Sequence, residues 1–180
     1  MSHIIYQTEG IILKKKNFGE ADRLLTIFTK EFGKINAMAQ GVRYLKSKLR
    51  YNLEPFSYSK LGLVAGKSAL AGWRIVDAEE IENYKNIIFK QDNFLALSQI
   101  INFIDRMIQG EEKNIFLWEK LKEIFNFLNI ENYNKENLQN FEISSFFDIL
   151  KNLGYIDIES YKTNKEGILI INKAIKESML

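Results

Sequence analysis

Glycine, asparagine and charge all change their distribution near residue 77, and this change limits the possible folds more than any other feature of the sequence. Seven of the ten glycines lie in residues 1–76, whereas asparagine occurs three times there and fourteen times in residues 77–180. The first region carries 13 Lys and Arg against 5 acids and the second carries 12 against 18, giving net charges of +8 and −6. Such a change predicts two structural units, and we place the boundary at residue 80, with domains at 1–80 and 81–180.

The first region has the apolar and alternating patterns of short strands. We predict strands at 8–14, 23–29, 34–39, 55–64 and 68–77, a loop at 14–19 and one or two helical turns at 44–50. Phe28, Phe32 and Phe56 are assigned to the core. Five short antiparallel strands close most economically into a small barrel, because closure removes exposed edges. The order of elements fits an OB-like barrel, although the number of strands also permits an SH3-like one.

The second region has the spacing of amphipathic helices. Apolar residues recur every three or four positions in 94–108, 117–128 and 143–153, so the predicted fold class is α+β, a five-stranded OB-fold barrel followed by an all-α domain. Asp92 is the predicted N-cap of the first helix and Gly154 ends the third.

The rest of the second region is less regular. The asparagine-rich segment 129–140 is typical of a loop, and 167–171 fits either a strand or the start of a last helix that ends at Leu180. Phe116 and Trp118 lie beside the main apolar stripe of their helix, where they could face a partner.

The sequence offers few groups for catalysis. It has no cysteine and one histidine, His3, which excludes disulfides, thiolate chemistry and a zinc site built on sulfur. The glycine motifs that bind phosphates and the hydrolase elbow are absent. Glu20 and Asp22 could bind a metal, but they could equally well neutralise the charges of neighbouring basic residues. We therefore predict a protein that is not an enzyme and that has no metal or cofactor.

The longest apolar-rich stretch without a charge, residues 93–104, is too short for a membrane span, which needs about twenty residues. No signal-peptide pattern opens the chain. These features predict a cytoplasmic protein that does not contact a membrane; association with the nucleoid is expected only from the DNA-binding role considered below.

Basic residues give the clearest indication of function. No acid lies between Glu31 and Glu54, and phosphates favour such basic segments because each neutralised charge releases counterions. Nearby aromatic side chains could stack on unpaired bases. The predicted DNA-binding residues are Lys14, Lys15, Lys16, Arg23, Lys34, Arg43, Lys46, Lys48 and Arg50. The candidates for base stacking are Phe18, Tyr44, Tyr51 and Tyr58.

An ordered pattern of glycines, acids and basic residues runs through positions 6–49. Its members are Gly10, Ile12, Leu13, Gly19, Glu20, Asp22, Arg23, Phe28, Thr29, Gly33, Lys34, Gly41, Arg43, Lys46 and Ser47. This pattern closely resembles the start of the RecO family of bacterial recombination mediators. The resemblance implies an N-terminal OB-fold, binding of single- and double-stranded DNA, and annealing of complementary strands. It also implies that RecR is a partner in loading RecA on DNA coated with single-strand-binding protein.

The second region departs from this family. Many members carry a cysteine-bearing zinc module after a helix that ends in LGY, but here residues 156–160 follow without cysteine. We therefore expect a shortened helical domain without zinc, and the net charge of −6 over residues 77–180 is unfavourable for binding the acidic tail of single-strand-binding protein. Two alternatives are open: a protein-interaction adaptor with minor DNA contact, and an RNA-binding OB protein.

Overall fold

The computed structural model describes residues 4–66, 72–108, 110–130 and 133–178. The strands are β1 (Tyr6–Phe18), β2 (Asp22–Thr29), β3 (Gly33–Ala39), β4 (Ser57–Ala65) and β5 (Trp73–Asn83). A short 3-10 helix, Lys85–Phe89, leads to the helices α1 (Gln91–Met107), α2 (Ile115–Ile130), α3 (Lys135–Asn152) and α4 (Asn164–Ser178). The predicted α+β class, a five-stranded barrel followed by helices, is confirmed.

The five strands form a closed barrel in the order β1-β2-β3-β5-β4, and β4 pairs back with β1. The pairing is antiparallel except between β3 and β5, which run parallel. This topology identifies the barrel as an OB-fold. Side chains that alternate along β2 and β3 fill the interior, because successive residues of a strand point to opposite faces. They are Leu25, Ile27, Ile35, Ala37 and Ala39.

The first loop prediction was wrong. Residues 14–18 continue β1 and pair with β2 from Phe18↔Asp22 to Lys14↔Thr26. Lys15, Lys16, Asn17 and Phe18 are all exposed, so this part of the hairpin has no apolar side buried in the core. The alternating pattern that marks a strand is therefore missing from its sequence.

The helical turns predicted at 44–50 are replaced by consecutive tight turns. The amides of Tyr44, Ser47 and Arg50 each donate to a carbonyl three residues earlier, at Gly41, Tyr44 and Ser47. The fifth strand begins at Trp73 and extends to Asn83, beyond the predicted end at residue 77. Its predicted start at Ser68, like His3 and Leu180, lies outside the described residues.

The helices follow the predicted stripes, with three differences. The N-cap of α1 is Lys90, so Asp92 lies in the first turn. There its negative charge interacts favourably with the positive end of the helix dipole. Helix α3 begins inside the predicted loop, because Asn134 caps it by accepting from the amide of Asn137. Trp118 is completely buried and faces no external partner, whereas Phe116 is exposed.

The uncertain segment 167–171 lies within α4 and is helical. Gly154 ends α3 as predicted: its φ is 78°, its amide donates to Lys151 O, and the next amide donates to Leu150 O.

The chain divides into two compact units. One contains Met1–Lys85 and Gly110–Trp118, and the other contains Asn86–Gln109 and Glu119–Leu180. Residues 110–118, here called the strap, therefore belong with the barrel although they follow α1. Two side-chain contacts hold the strap: Trp73 Nε1 donates to Glu111 Oε2 at 2.8 Å, and Lys113 Nζ lies 2.6 Å from Glu31 Oε2.

Candidate nucleic-acid interface

Three strands of the barrel form an outward face that carries basic side chains. Lys14 pairs with Thr26 and Lys16 with Leu24, and those β2 residues pair with Asn36 and Met38 on β3. Paired residues point to the same side of a sheet. The buried neighbours Leu25 and Ala37 point inward, so this set points outward. Lys34 follows the same alternation on β3. We call this surface the basic face.

A long connection between β3 and β4 carries the second group of cations. Arg43, Lys46 and Lys48 are exposed, and Arg50 is half-buried, with its guanidinium carbon 6.0 Å from the centre of the Tyr51 ring. We call residues 41–52 the basic loop. Four of the predicted DNA-binding residues therefore lie together in one connection.

The barrel holds the basic loop in place from both ends. Val42 and Leu53 are completely buried in the barrel core. The amide of Gly41 donates to Asp22 Oδ1 at 2.7 Å, and the amide of Arg43 donates to Ala21 O. Near the other end, Asn52 Nδ2 donates to Ala78 O at 2.7 Å. The bonds of Gly41 and Arg43 attach the start of the loop to the β1–β2 turn, where the basic face ends, and the bond of Asn52 attaches its other end to β5.

Two of the predicted DNA-binding residues are engaged inside the barrel unit. Glu54 accepts from Lys15 Nζ and, at 2.9 Å, from Arg23 Nη1. Burial of Glu54 raises its pKa, but the hydrogen bonds and charges of Lys15 and Arg23 together outweigh that effect and hold the pKa below its ordinary value. Lys15 and Arg23 therefore fix residue 54, just beyond the basic loop, to the β1–β2 hairpin.

Glu54→Gln is expected to lower the unfolding free energy by about 2 kcal/mol at pH 7, because the amide has no negative charge and leaves one acceptor oxygen for two cations. Because the folded pKa lies below the unfolded one, the ionised carboxylate stabilises the protein above the unfolded value of about 4.3. That stability is lost as the pH falls through the folded pKa. Urea unfolding of the variant and wild type at pH 7 and at lower pH measures this difference. The matched control is Glu20→Gln, at an exposed acid of the same hairpin. A constant difference between wild type and Glu54→Gln across the acid range would contradict the assignment.

The aromatic candidates fall into two groups. Phe18, Tyr44 and Tyr51 are 56%, 64% and 70% exposed, so their rings are accessible to bases. Tyr58 is half-buried: its hydroxyl donates to Glu9 Oε2 at 2.6 Å, and its ring packs 5.8 Å from the ring of Trp118. Intramolecular packing therefore engages Tyr58, which leaves the other three as candidates for stacking.

Arg74 is a basic residue of this surface that the sequence patterns did not reveal. It lies on β5, which closes the barrel by pairing Met38↔Arg74, and its Nη1 atom lies 3.4 Å from Gln40 Oε1. Ile75 is buried, so Arg74 points outward beside Met38. Only the long-range parallel pairing of β3 and β5 brings Arg74 next to the basic face, and no local pattern encodes that pairing.

The acids of β5 lie toward the opposite end of that strand. Asp77, Glu79 and Glu82 are exposed, and they pair with β4, where Lys60 is opposite Glu79. β3 pairs with β5 at Trp73 and Arg74. Positive charge on β1 and β3 and negative charge on β5 make the barrel electrostatically asymmetric, so a polyanion is attracted to one side.

The described residues contain no group of three or more acids or histidines that could hold a metal ion. Asp22, one of the two acids considered for such a role, instead accepts the amide of Gly41. None of the helices in the described ranges is long and apolar enough to cross a membrane.

Comparison with known proteins agrees with this architecture. Residues 1–78 match the family model described as Recombination protein O N terminal. A DNA repair protein RecO from Heliobacterium modesticaldum is 34% identical over 103 residues, which are 57% of this chain and 37% of that protein. The RecO of Gloeothece citriformis is 36% identical over 118 residues, covering 66% of this chain and 41% of the relative.

A shorter match has a higher identity: the RecO of Alkaliphilus metalliredigens is 48% identical over 65 residues, 36% of this chain and 26% of that protein. The matched part of the chain thus spans less than half of the length of each of these three relatives. The similarity includes the barrel, whose OB topology agrees with the fold that the sequence pattern implied. Residues 1–78 are therefore similar to the N-terminal region of the RecO family.

Proposed function

We propose that this protein acts in DNA repair and recombination by binding single- and double-stranded DNA and annealing complementary strands. One observation carries this proposal: the barrel anchors the basic loop at the end of the basic face, so that two basic segments of the sequence form one surface. Similarity to proteins named DNA repair protein RecO supports the same role.

The mechanism follows from what basic side chains recognise. Lysine and arginine side chains that contact phosphates read no base edges, so binding through phosphates alone is strong at low salt and nearly independent of sequence. A protein that screens the repulsion between two strands leaves their Watson–Crick edges available for pairing. Annealing therefore needs no ATP. From the resemblance to the RecO family, we also propose that RecR is a partner in loading RecA on DNA coated with single-strand-binding protein.

Binding is expected to weaken steeply with salt. With about six phosphate contacts, the slope of log K against log salt should be roughly −4 on single strands and roughly −5 on duplex DNA. Fluorescence anisotropy with labelled single strands and duplexes of several sequences, each over a salt series, measures these slopes. A flat salt response, or sharp preference for one sequence, would contradict phosphate-directed binding.

A strand-annealing assay with complementary oligonucleotides, in the absence of ATP, tests the activity itself. Acceleration over the spontaneous rate supports the proposal. The same series with RNA separates the role from that of an RNA-binding OB protein. Failure to bind any nucleic acid at low salt would instead favour a protein-interaction adaptor.

A further inference from the structure

A leucine in the basic loop points into solvent among cations. Leu45 is 82% exposed, more than any other large apolar side chain of the barrel unit within the described ranges. Its neighbours in the chain include the exposed Arg43, Lys46 and Lys48. The loop therefore presents one apolar side chain together with three positive charges on the same short segment.

The backbone holds Leu45 at the apex of a tight turn. The amide of Ser47 donates to Tyr44 O at 3.0 Å, so Leu45 and Lys46 are the two central residues of that turn. The base of the turn is packed: a Cβ atom added to Gly41 would lie 3.3 Å from Cδ2 of the Tyr44 ring. Leu45 is therefore presented on a fixed support, which lowers the entropic cost of binding through it.

The same loop buries an apolar side chain elsewhere. Leu49, four residues after Leu45, packs against the barrel core. The loop thus turns one leucine toward the core and the other toward solvent. The exposed leucine is the one that lies between Arg43 and Lys46 in the chain.

This combination matches what is needed to kink duplex DNA. Proteins that kink a duplex bind its phosphates through cations and insert an apolar side chain, leucine among them, between two stacked base pairs. The cations hold the duplex against the protein while the inserted side chain partly opens one base step. Burial of the leucine between the base pairs offsets part of the cost of unstacking them.

Two other ligands fit the loop less well. A flexible single strand has no fixed stack of base pairs for a side chain to open. A membrane surface is bound by a broad apolar face or a lipid chain in addition to basic residues, and one leucine supplies much less apolar area than either. Duplex DNA is the ligand that uses both the leucine and the cations.

We infer that Leu45 is a wedge that enters a base step of duplex DNA and kinks it, while the neighbouring cations of the basic loop bind phosphates. This inference rests on the proposed function and deepens it, because it adds a deformation of the duplex to binding and assigns it to one side chain. Pyrimidine–purine steps unstack most readily, so the kink is expected to favour them over other steps.

The test uses the full chain and a duplex of about 20 base pairs, roughly 68 Å long, with a donor and an acceptor dye at its two ends. A fluorescent adenine analogue at a central TA step reports unstacking by increased emission. Leu45→Ala removes the wedge, and Leu45→Met keeps an apolar side chain of similar size. The matched control is Leu169→Ala, at a leucine of α4 that is 70% exposed.

With saturating wild-type protein, a kink of about 50° should shorten the distance between the dyes by roughly 10%, and the emission of the analogue should rise. Leu45→Ala should abolish both changes. Its duplex affinity should stay within about threefold of wild type and its salt slope should not change, because the phosphate contacts are retained. Leu45→Met and Leu169→Ala should behave as wild type.

A wild-type complex with a straight, fully stacked duplex would overturn the inference, as would a Leu45→Ala complex that keeps the kink. Vesicles rich in phosphatidylserine test the membrane as the ligand. Binding to them that is lost in Leu45→Ala, together with an unkinked duplex, would show that Leu45 contacts lipid instead. If the wild-type protein binds no DNA, the proposed function fails. If it binds DNA without bending it, only the wedge fails.

Discussion

The Gly33→Ala variant is expected to lose about 3 kcal/mol of unfolding free energy, through the combined cost of backbone strain and a steric clash. Gly33 has a φ of 64°, which costs any other residue about 1–2 kcal/mol. A Cβ atom there would also lie 2.0 Å from the backbone oxygen of Glu112 in the strap. Backbone cannot rotate away as a side chain does, so the strap must shift, at a further cost of about 1–3 kcal/mol.

The Gly19→Ala variant separates these two costs. Gly19 has a φ of 57°, but its added Cβ would meet no atom within 4 Å. It is therefore expected to lose about 1 kcal/mol, from backbone conformation alone. Urea unfolding followed by tryptophan fluorescence compares the variants, because both tryptophans of the chain, Trp73 and Trp118, lie in the barrel unit. Equal losses in Gly33→Ala and Gly19→Ala would show that the strap does not press on the β2–β3 turn.

Reversing the four cations of the basic loop is expected to weaken DNA binding by about a hundredfold or more at low salt. The changes are Arg43→Glu, Lys46→Glu, Lys48→Glu and Arg50→Glu in one protein. Each replaces an attraction to phosphate by a repulsion, and the counterion release that favours binding is lost with it. Anisotropy with single-stranded and duplex DNA measures the effect, and both affinities should fall.

The matched control carries the same change of net charge in the helical unit. Lys135, Lys162, Lys165 and Lys173 are exposed there, and their reversal to Glu should lower affinity far less. Because Arg43 and Arg50 also make intramolecular contacts, the double variant Lys46→Glu/Lys48→Glu tests the loop with less risk to folding. Comparable losses from the helical and loop variants would show that overall charge, and not the basic loop, controls binding.

Sequence patterns predict an element well where one of its faces meets the core. The alternation of Ile35, Ala37 and Ala39 indicates β3, and the stripe from Leu117 to Leu128 indicates α2, because burial selects apolar residues at regular spacing. Where neither face is buried, the signal disappears. For this reason the sequence predicts loops where the structure has the exposed hairpin at 15–18 and the exposed first turn of α3.

The candidate site was predictable in composition but not in arrangement. A basic segment without acids can be read from the chain, and four of its cations lie in one loop of the structure. The engagement of Lys15 and Arg23 by Glu54 depends on contacts between residues 31 or more positions apart. The burial of Trp118 against Tyr58 joins residues sixty positions apart. Local periodicity carries no information about such pairs.

The strap has a consequence for the order in which the protein can fold during synthesis. The barrel strands end at Asn83, yet Trp118, which packs against Tyr58, follows 35 residues later. A ribosome adds about 5–20 residues per second, so a completed set of strands waits some seconds for the segment that covers it. During that interval Tyr58 and the β2–β3 turn meet water in place of their native neighbours. A fragment that stops near residue 80 would hold the barrel permanently in this nascent state.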